Sequence, residues 1–228
     1  MSTPTHSHSG LQSDDWFMEH PRLSEFVATS RELIGGSGGN VPALLRALEA
    51  PFRDLLADQT WLAPQFGIGC ETGGMGGGIG QWLLFRSADH TLTLFSLVVP
   101  PGSSTPVHDH HAWGLVGLYR GEQAEDVYRR ETTTPDPAGR APLTLVEQRT
   151  VRPGDMYRLL PPSDDVHAVR TTSAVPSVSI HLLGIDAGCV WRHRFEPDHA
   201  MAHPFRSGYS NEPCADAEAK PPELIACA

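Results

Sequence analysis

The sequence predicts an all-β fold, an antiparallel barrel or sandwich of short strands preceded by two helices. Between Gln81 and Ile180, short segments rich in β-branched, aromatic and leucine residues follow one another, among them TLTLFSLVV and VSIHLLG. Turn-forming sequences such as PPGSS, RPGD and PPSDD separate these segments. The chain has 228 residues, of which 22 are glycine, 20 are proline and 39% are apolar. This composition favours many short strands around one substantial core.

Two amphipathic segments predict the helices that precede the strands. From Pro21 to Ile34, apolar residues recur at close to helical spacing. The sequence GGSGGN at 35–40 ends this segment, and Pro42 opens a second one, whose apolar residues recur about every 3.6 positions as far as Leu56. The chain is therefore expected to have three parts: a flexible tail over 1–20, one domain over 21–211 with a helical lead-in over 21–66, and a second tail over 212–228.

The net charge, the amino-terminal sequence and the cysteine content predict the partners and the location of the protein. The formal net charge is −10 and no basic stripe offsets it, so a nucleic-acid partner is not expected. The opening MSTPTHSHSG lacks the basic and apolar regions of a signal peptide, and no apolar run is long enough to cross a membrane. The four cysteines form no C-x-x-C pair, so we expect them to be reduced, without a disulfide framework. The sequence thus predicts a cytoplasmic monomer or small homo-oligomer.

The segment GSSTPVHDHHAWGLVGLYRG carries the main chemical signal of the sequence. His108 and His110 are two residues apart in a strand-like stretch, where alternation directs both side chains to one face. With His167 from a neighbouring strand, two such imidazoles make a facial set of metal ligands that leaves coordination positions open. The alternative is that the pair is a chance surface feature in a chain with 12 histidines.

The spacing of glycines and histidines resembles the two motifs of the cupins. Four residues match the first motif: Gly102, His108, His110 and Gly121. Three resemble a degenerate second motif: Gly154, Pro162 and His167. Most cupins have a metal-binding glutamate where this chain has Gly114. The resemblance implies a double-stranded β-helix barrel, and the missing glutamate is typical of the thiol dioxygenases, which include cysteine dioxygenase and 3-mercaptopropionate dioxygenase.

Further segments resemble the bacterial 3-mercaptopropionate dioxygenase branch, and the likeness extends over roughly residues 20–211. They are TPVHDH with the following Trp113, the triplet Ser179-Ile180-His181, and PFRSGYSN at 204–211. The resemblance implies that His108, His110 and His167 bind Fe(II) and that Ser179 and His181 act beside the oxygen site. Two positions depart from the family. Leu183 stands where the family has the tyrosine of a Ser-His-Tyr relay, and Leu115 lies near the expected place of a crosslinking cysteine, so no crosslinked cofactor is expected.

The resemblance also implies that an arginine binds the substrate carboxylate. Arg192 matches the arginine that holds the carboxylate in the 3-mercaptopropionate enzymes, and a guanidinium can present two parallel donors to such a group. The alternative is a solvated arginine next to Arg194. Gln81 falls where animal cysteine dioxygenases have an arginine, which favours a substrate without an α-amino acid head group, and Arg86 is a second candidate cation.

The predicted function is therefore addition of both atoms of O2 to the sulfur of a small thiol carboxylate. The candidate substrates are 3-mercaptopropionate, mercaptosuccinate and cysteine, in that order. Two alternatives stay open: a cupin dioxygenase or isomerase that acts on a non-thiol substrate, and a non-catalytic cupin that binds a metal or ligand. The absent relay tyrosine favours the first of these, because without it the proton route of the family is incomplete.

Overall fold

The computed structural model describes residues 13–72, 74–216, 218 and 220–221. Its two α-helices are α1 (Pro21–Gly36) and α2 (Val41–Ala57). The strands, in chain order, are β1 (Asp15–Trp16), β2 (Gly80–Arg86), β3 (Thr93–Val99), β4 (Val107–His108), β5 (Gly114–Arg120), β6 (Gln123–Arg130), β7 (Leu143–Val151), β8 (Met156–Leu159), β9 (Val166–Thr171), β10 (Ser177–Leu183), β11 (Arg192–Glu196) and β12 (Met201–Phe205). Short 3-10 helices cover Pro64–Gly67 and Pro197–His199.

The strands form two six-stranded antiparallel sheets, with the orders β1-β2-β3-β10-β5-β8 and β12-β11-β4-β9-β6-β7. Within them, β3-β10-β5-β8 and β4-β9-β6-β7 are the two four-stranded halves of a double-sheet jelly roll, the architecture of the cupins. Consecutive strands from β3 to β10 mostly cross from one sheet to the other, which gives this order. The structure is mostly β, a cupin-like β-sandwich with two α-helices, which agrees with the coarser part of the predicted fold class.

Alternation along β10 divides the core into two layers. Val178, Ile180 and Leu182 point outward into a cluster shared with the helices, whereas Leu183 belongs to a second cluster between the sheets. Successive side chains of a strand point to opposite faces, so Ser179 and His181 share the inner side with Leu183. All seven residues of β10 are buried. This strand therefore carries polar groups into the interior while its other face anchors the helices.

Both predicted helices are present, and side-chain caps fix where they begin. The His20 ring accepts a hydrogen bond from Arg22 N, and Asn40 Oδ1 accepts one from Ala43 N at 3.1 Å. Helix α2 packs closely on β5 because Gly117 has no side chain: a Cβ there would lie 2.3 Å from Leu56 Cδ1. Within the described part of the chain, no helix has both the length and the apolar character needed to cross a membrane.

Part of the segment predicted as an amino-terminal tail pairs with the first sheet. Strand β1 pairs with the end of β2, so that Asp15 lies opposite Arg86. Asp14 also accepts two hydrogen bonds from Arg31, at 2.6 and 2.7 Å. Residues 15–16 therefore belong to the first sheet, although polar composition placed them in a flexible tail. The remainder of that predicted tail, residues 1–12, lies outside the described residues.

The expectation that all four cysteines are reduced is wrong for two of them. Cys189 and Cys214 form a disulfide with a Cα–Cα distance of 5.3 Å. Cys70 is a free cysteine. The bridge connects the turn after β10 to the segment after β12, so the region around Cys214 is attached to the body rather than part of a loose tail. The sequence could not show this, because the two cysteines are 25 residues apart and become neighbours only through the fold.

Candidate metal centre

Three histidines lie together between the sheets. His108 ends β4 and is the register partner of His167 on β9, and His110 follows β4 in an irregular segment. Their ring centroids are 4.8, 5.0 and 4.9 Å apart, and all three side chains are buried. One nitrogen of each lies within 4.8 Å of the others, so the group could hold a metal ion. The structure thus brings together the three ligands suggested by the sequence.

Hydrogen bonds direct one nitrogen of each ring away from the shared space. His108 Nδ1 lies 2.9 Å from Pro106 O, His110 Nδ1 lies 3.0 Å from Asp165 O, and His167 Nδ1 lies 2.6 Å from Glu125 Oε1. Each of these oxygens only accepts hydrogen bonds, so in the neutral form of each ring the proton is on Nδ1. The three Nε2 atoms are left with lone pairs for a metal.

Electrostatics keeps the first two rings neutral. Burial lowers the pKa of His108 and of His110 well below the ordinary value, and the charge of Arg192 lowers both further. A neutral imidazole is the form that binds a metal, so no proton has to be displaced at neutral pH. Three imidazole nitrogens suit iron, zinc, copper or nickel, and they leave positions free for other ligands. The residues present therefore fit a single transition-metal ion.

Ser179 and His181 form a hydrogen-bonded pair on the inner face of β10. Ser179 Oγ lies 2.9 Å from His181 Nε2, and the His181 ring stacks on Phe95 at 4.6 Å between centroids. Burial lowers the pKa of His181 to about 3, with smaller contributions from the charges of His167 and Arg192. His181 is therefore neutral at pH 7. Its Nδ1 is buried without a hydrogen-bond partner among the described residues, so it is available to a bound molecule.

Arg192 is fixed at the start of β11. Its two terminal nitrogens donate to Asp109 O and Ser207 Oγ, both at 2.8 Å, and the guanidinium lies 4.7 Å from the Phe205 ring centroid. Burial lowers its pKa to about 10, so it stays a cation at neutral pH. Its Nε has no partner in the described part of the chain, and each terminal nitrogen keeps a second N–H. Arg192 is thus a buried cation with spare donors, rather than a solvated one.

Gln81 lies on the same inner row as Ser179. It pairs with Leu97 on β3, and Leu97 pairs in turn with Ser179 on β10. Its side chain is buried, and both polar atoms lack a hydrogen-bond partner among the residues described. An unpaired buried amide is costly, so its presence favours a ligand that satisfies it.

Arg86 is engaged elsewhere and does not fit the predicted role in substrate binding. Its guanidinium forms ion pairs with Asp15 at 2.7 Å, Asp186 at 3.4 Å and Glu212 at 3.7 Å. These carboxylates neutralise its charge. Arg86 instead connects β1, the turn after β10 and the segment after β12, so we no longer expect it to bind substrate.

Leu183 and Gly114 exclude an acidic ligand from the wall opposite the histidines. The two residues are register partners on β10 and β5. A Cβ at position 114 would lie 2.1 Å from Leu183 Cδ2 and 2.8 Å from Leu182 O. The glutamate that most cupins have at this position therefore has no room here. The sequence showed that the acid is absent, and the structure adds that an apolar side chain fills its space.

A second group of metal-ligating residues lies behind the first. Asp109, His111 and His193 each offer an atom within 4.8 Å of the others. Asp109 Oδ2 lies 2.8 Å from both His111 Nε2 and His193 Nδ1, and Arg130 also donates to it at 3.0 Å. Burial opposes ionisation of Asp109, but the hydrogen bonds from the two histidines outweigh it, and its pKa lies well below the ordinary value. Both carboxylate oxygens of Asp109 already accept hydrogen bonds, from His193 N and from the two rings and Arg130, so the three-histidine group fits a metal better.

Two residues that contact His167, Glu125 and Tyr157, were not expected from the sequence. Glu125 on β6 is buried and contacts His167, and Tyr157 OH on β8 lies 3.4 Å from His167 Nδ1. Burial would raise the pKa of Glu125, but hydrogen bonds from His167 and Arg149 hold it below its usual value. Both residues line a cavity of about 480 Å³ between β8 and the opposite sheet. In QAEDVYRR, no regular alternation marks the inner face, so Glu125 was not recognisable.

The fold and the buried histidines together define a cupin-like jelly-roll protein with a candidate site for one metal ion. No protein-family model matches the chain. The similar solved structures include the DMSP lyase DddQ from Ruegeria pomeroyi DSS-3, with 23% identity, 47% of each chain covered and a TM-score of 0.34. They also include an oxalate oxidase, with 13% identity, 57% of this chain and 61% of that chain covered, and a TM-score of 0.39.

A third similar structure is the cupin domain of an XRE family transcriptional regulator from Enterobacter cloacae, with 21% identity, 46% of this chain and 94% of that chain covered, and a TM-score of 0.33. The match spans about half the length of the DMSP lyase chain. At scores this low we infer nothing about activity from these proteins. The strand order of this chain by itself defines the cupin-like jelly roll.

Proposed function

We propose that this protein is an Fe(II)-dependent dioxygenase that converts a small thiol carboxylate, such as 3-mercaptopropionate, into its sulfinate. One observation carries the proposal: three buried imidazoles lie together, and the charge of a buried arginine that has spare donors acts on two of them, His108 and His110. A metal site of this kind requires neutral nitrogen ligands, and an acid substrate requires a fixed cation. The buried histidines and Arg192 support the proposal on both points.

Arg192 would hold the substrate carboxylate. Its Nε and the second hydrogens of its terminal nitrogens are the available donors, while Asp109 O and Ser207 Oγ fix its plane. Gln81 would complete the polar wall with its unpaired amide. Binding an acid here removes the cost of leaving these groups unsatisfied, which favours a substrate that carries a carboxylate.

Ser179 and His181 would handle the proton. When bound, an Fe(II) ion would supply the oxygen chemistry, with both atoms of O2 ending on the substrate sulfur. A thiol and O2 give a sulfinate and one proton, so the chain has to accept and release a proton near the sulfur. His181 is neutral and has an unpaired Nδ1, which suits it to accept a hydrogen bond from the thiol, while Ser179 fixes the ring through Nε2. Because its pKa is about 3, His181 would pass the proton on to solvent rather than hold it. With Leu183 in place of the family tyrosine, the relay would end at His181.

The decisive experiment measures oxygen consumption by protein loaded with Fe(II) under anaerobic conditions. The panel is 3-mercaptopropionate, mercaptosuccinate, cysteine, cysteamine and propionate, which has no thiol, and mass spectrometry follows the sulfinate. Sulfinate formed in a one-to-one ratio with consumed oxygen, with thiol acids preferred over cysteamine, is the expected result. Stoichiometric iron binding without oxygen uptake on any thiol would overturn the proposal and favour a non-thiol reaction or a binding role.

Location and assembly stay predictions. A cytoplasmic monomer or small homo-oligomer without a nucleic-acid or membrane partner stays the prediction, and the net charge of −10 supports the absence of a nucleic-acid partner. The Cys189–Cys214 disulfide is instead typical of oxidising compartments. Thiol quantification on protein rapidly alkylated in intact cells would distinguish the two, because a cytoplasmic pool would contain the reduced form of this pair.

A further inference from the structure

Glu125 distinguishes His167 from the other two candidate ligands. His108 and His110 hydrogen-bond through Nδ1 to backbone carbonyls, which carry no net charge. His167 Nδ1 instead lies 2.6 Å from the carboxylate of Glu125, whose side chain is 1% exposed. A charged acceptor attracts the Nδ1 proton more strongly than a carbonyl does, and this increases electron density at Nε2 on the far side of the ring.

The carboxylate is held in place from the other side as well. Arg149 Nε on β7 donates to Glu125 Oε2 at 2.7 Å, and the Arg149 guanidinium lies 4.6 Å from the Tyr157 ring centroid. One carboxylate oxygen is therefore directed at the arginine and the other at the histidine. Burying an ion pair of this kind rarely adds stability compared with apolar side chains. A role in folding alone thus gives a weak reason for the pair.

We propose that Glu125 is a positioning residue for the metal: it orients His167 and raises the affinity of the site for a divalent ion. The inference rests on the proposed metal site, and it concerns binding of the metal rather than the choice of substrate. Glu125 fixes the Nδ1–H tautomer and holds the ring plane, so that Nε2 is directed at the ion before it binds. Residues in this position typically change metal affinity about 10- to 100-fold.

The test compares metal binding by Glu125→Gln with that by a matched control, Glu147→Gln. The glutamine side chain of the first variant keeps an oxygen that can accept from His167 but loses the charge. Glu147 lies 3.6 Å from Arg149 and is half exposed, so its substitution changes the charge beside the same arginine on the solvent side. Co2+ is the probe. Its dissociation constant is measured by competition with a chromogenic chelator, and its visible absorption bands report the geometry of the ligands.

We expect Glu125→Gln to weaken Co2+ binding at least about 10-fold and to shift the absorption bands, with Glu147→Gln unchanged in both. Equal affinities and identical spectra for Glu125→Gln and the wild type would overturn the inference. If wild-type protein bound no Co2+, the proposed metal site itself would fail, which is a different outcome. Should Glu125→Gln not fold, the double variant Glu125→Gln/Arg149→Met removes both charges of the pair, and the same loss of affinity is expected from it.

Discussion

Hydrogen bonds fix the side chains at this site, and they leave certain polar atoms without a partner among the described residues. Each candidate ligand has its Nδ1 engaged, Arg192 has its terminal nitrogens engaged, and Ser179 engages His181 Nε2. The atoms that remain, three Nε2 lone pairs, Arg192 Nε–H and His181 Nδ1, are those that a metal and a small acid require. At this scale, the proposed function rests on which atoms have no partner within the described chain.

Replacing Arg192 with alanine separates recognition of the carboxylate from recognition of the thiol. Loss of hydrogen bonds to a charged group typically costs about 1.5–3 kcal/mol, so we expect kcat/KM for 3-mercaptopropionate to fall at least about 10-fold, chiefly through KM. The neutral-headed control is 2-mercaptoethanol, for which the change should be small. Equal losses for both thiols would show that Arg192 has no role in binding the carboxylate. Steady-state oxygen uptake measures both.

Adding a methyl group at position 114 tests how closely β5 and β10 approach. Gly114→Ala would place a Cβ within 2.1 Å of Leu183 Cδ2, and overpacking of this kind typically costs about 1–3 kcal/mol. Leu183→Ala in the same chain should restore part of that loss, because it removes the nearest atom, although Leu182 O remains close. Urea unfolding of the two single variants and the double variant gives the coupling energy. Simple additivity would contradict the predicted contact.

At the scale of elements, the segment after β12 holds the two candidate substrate-binding residues, Gln81 and Arg192. The segment after β12 accepts from Arg192 through Ser207, exchanges backbone and side-chain hydrogen bonds with Gln81 through Ser210, and binds both backbone groups of Leu83 through Asn211. The Cys189–Cys214 disulfide attaches the end of this segment to the turn after β10. One short segment therefore orders two residues that are far apart in the chain.

Removing the disulfide should loosen that segment. Closing a loop of this length stabilises a protein by about 3 kcal/mol in the chain-entropy account, so Cys214→Ser should lower the free energy of unfolding by a similar amount. We also expect a higher KM for the thiol acid with little change in metal affinity, because the segment holds Gln81 and Arg192 rather than the candidate ligands. Cys70→Ser is the control, since Cys70 is unbridged. An unchanged KM would argue against this coupling.

The helices and strands could be predicted from the sequence, whereas contacts between distant segments of the chain could not. Helices α1 and α2 and the central strands were expected because apolar periodicity reports which face is buried. The H-x-H pair and His167 were identified because motif spacing is local, although His110 lies beyond the end of β4 and strand alternation does not explain its direction. By contrast, the contacts of Glu125 with His167, of Arg86 with Asp186 and of Cys189 with Cys214 join distant segments, and no local pattern encodes them.

Across the whole molecule, burial of neutral histidines makes stability depend on pH. The folded pKa of His181 is about 3, below its ordinary value of 6.5, so the unfolded chain takes up a proton over a pH range in which the folded chain does not. The sign is therefore fixed: stability is fully present above about pH 6.5 and declines as the pH falls toward 3. His108 and His110 act in the same direction.

For metal-free protein, each such histidine should contribute a slope of up to about 1.4 kcal/mol per pH unit below about pH 6.5. Urea unfolding at several values between about pH 7.5 and 5 measures the total. His181→Gln should have a shallower slope than the wild type, whatever its absolute stability. A wild-type curve that is flat over this range, or a variant curve of equal slope, would contradict the assignment of these rings as buried and neutral.

The contact between Gly114 and Leu183 also limits how this site can change over generations. An acidic side chain at position 114 would clash with Leu183. A lineage that acquired such a ligand would therefore have to replace Leu183 with a smaller residue before or together with that change. Each step alone lowers stability through packing, so the two positions are epistatic. A single apolar residue, Leu183, therefore makes it harder for a site with three histidines to gain a fourth, acidic ligand.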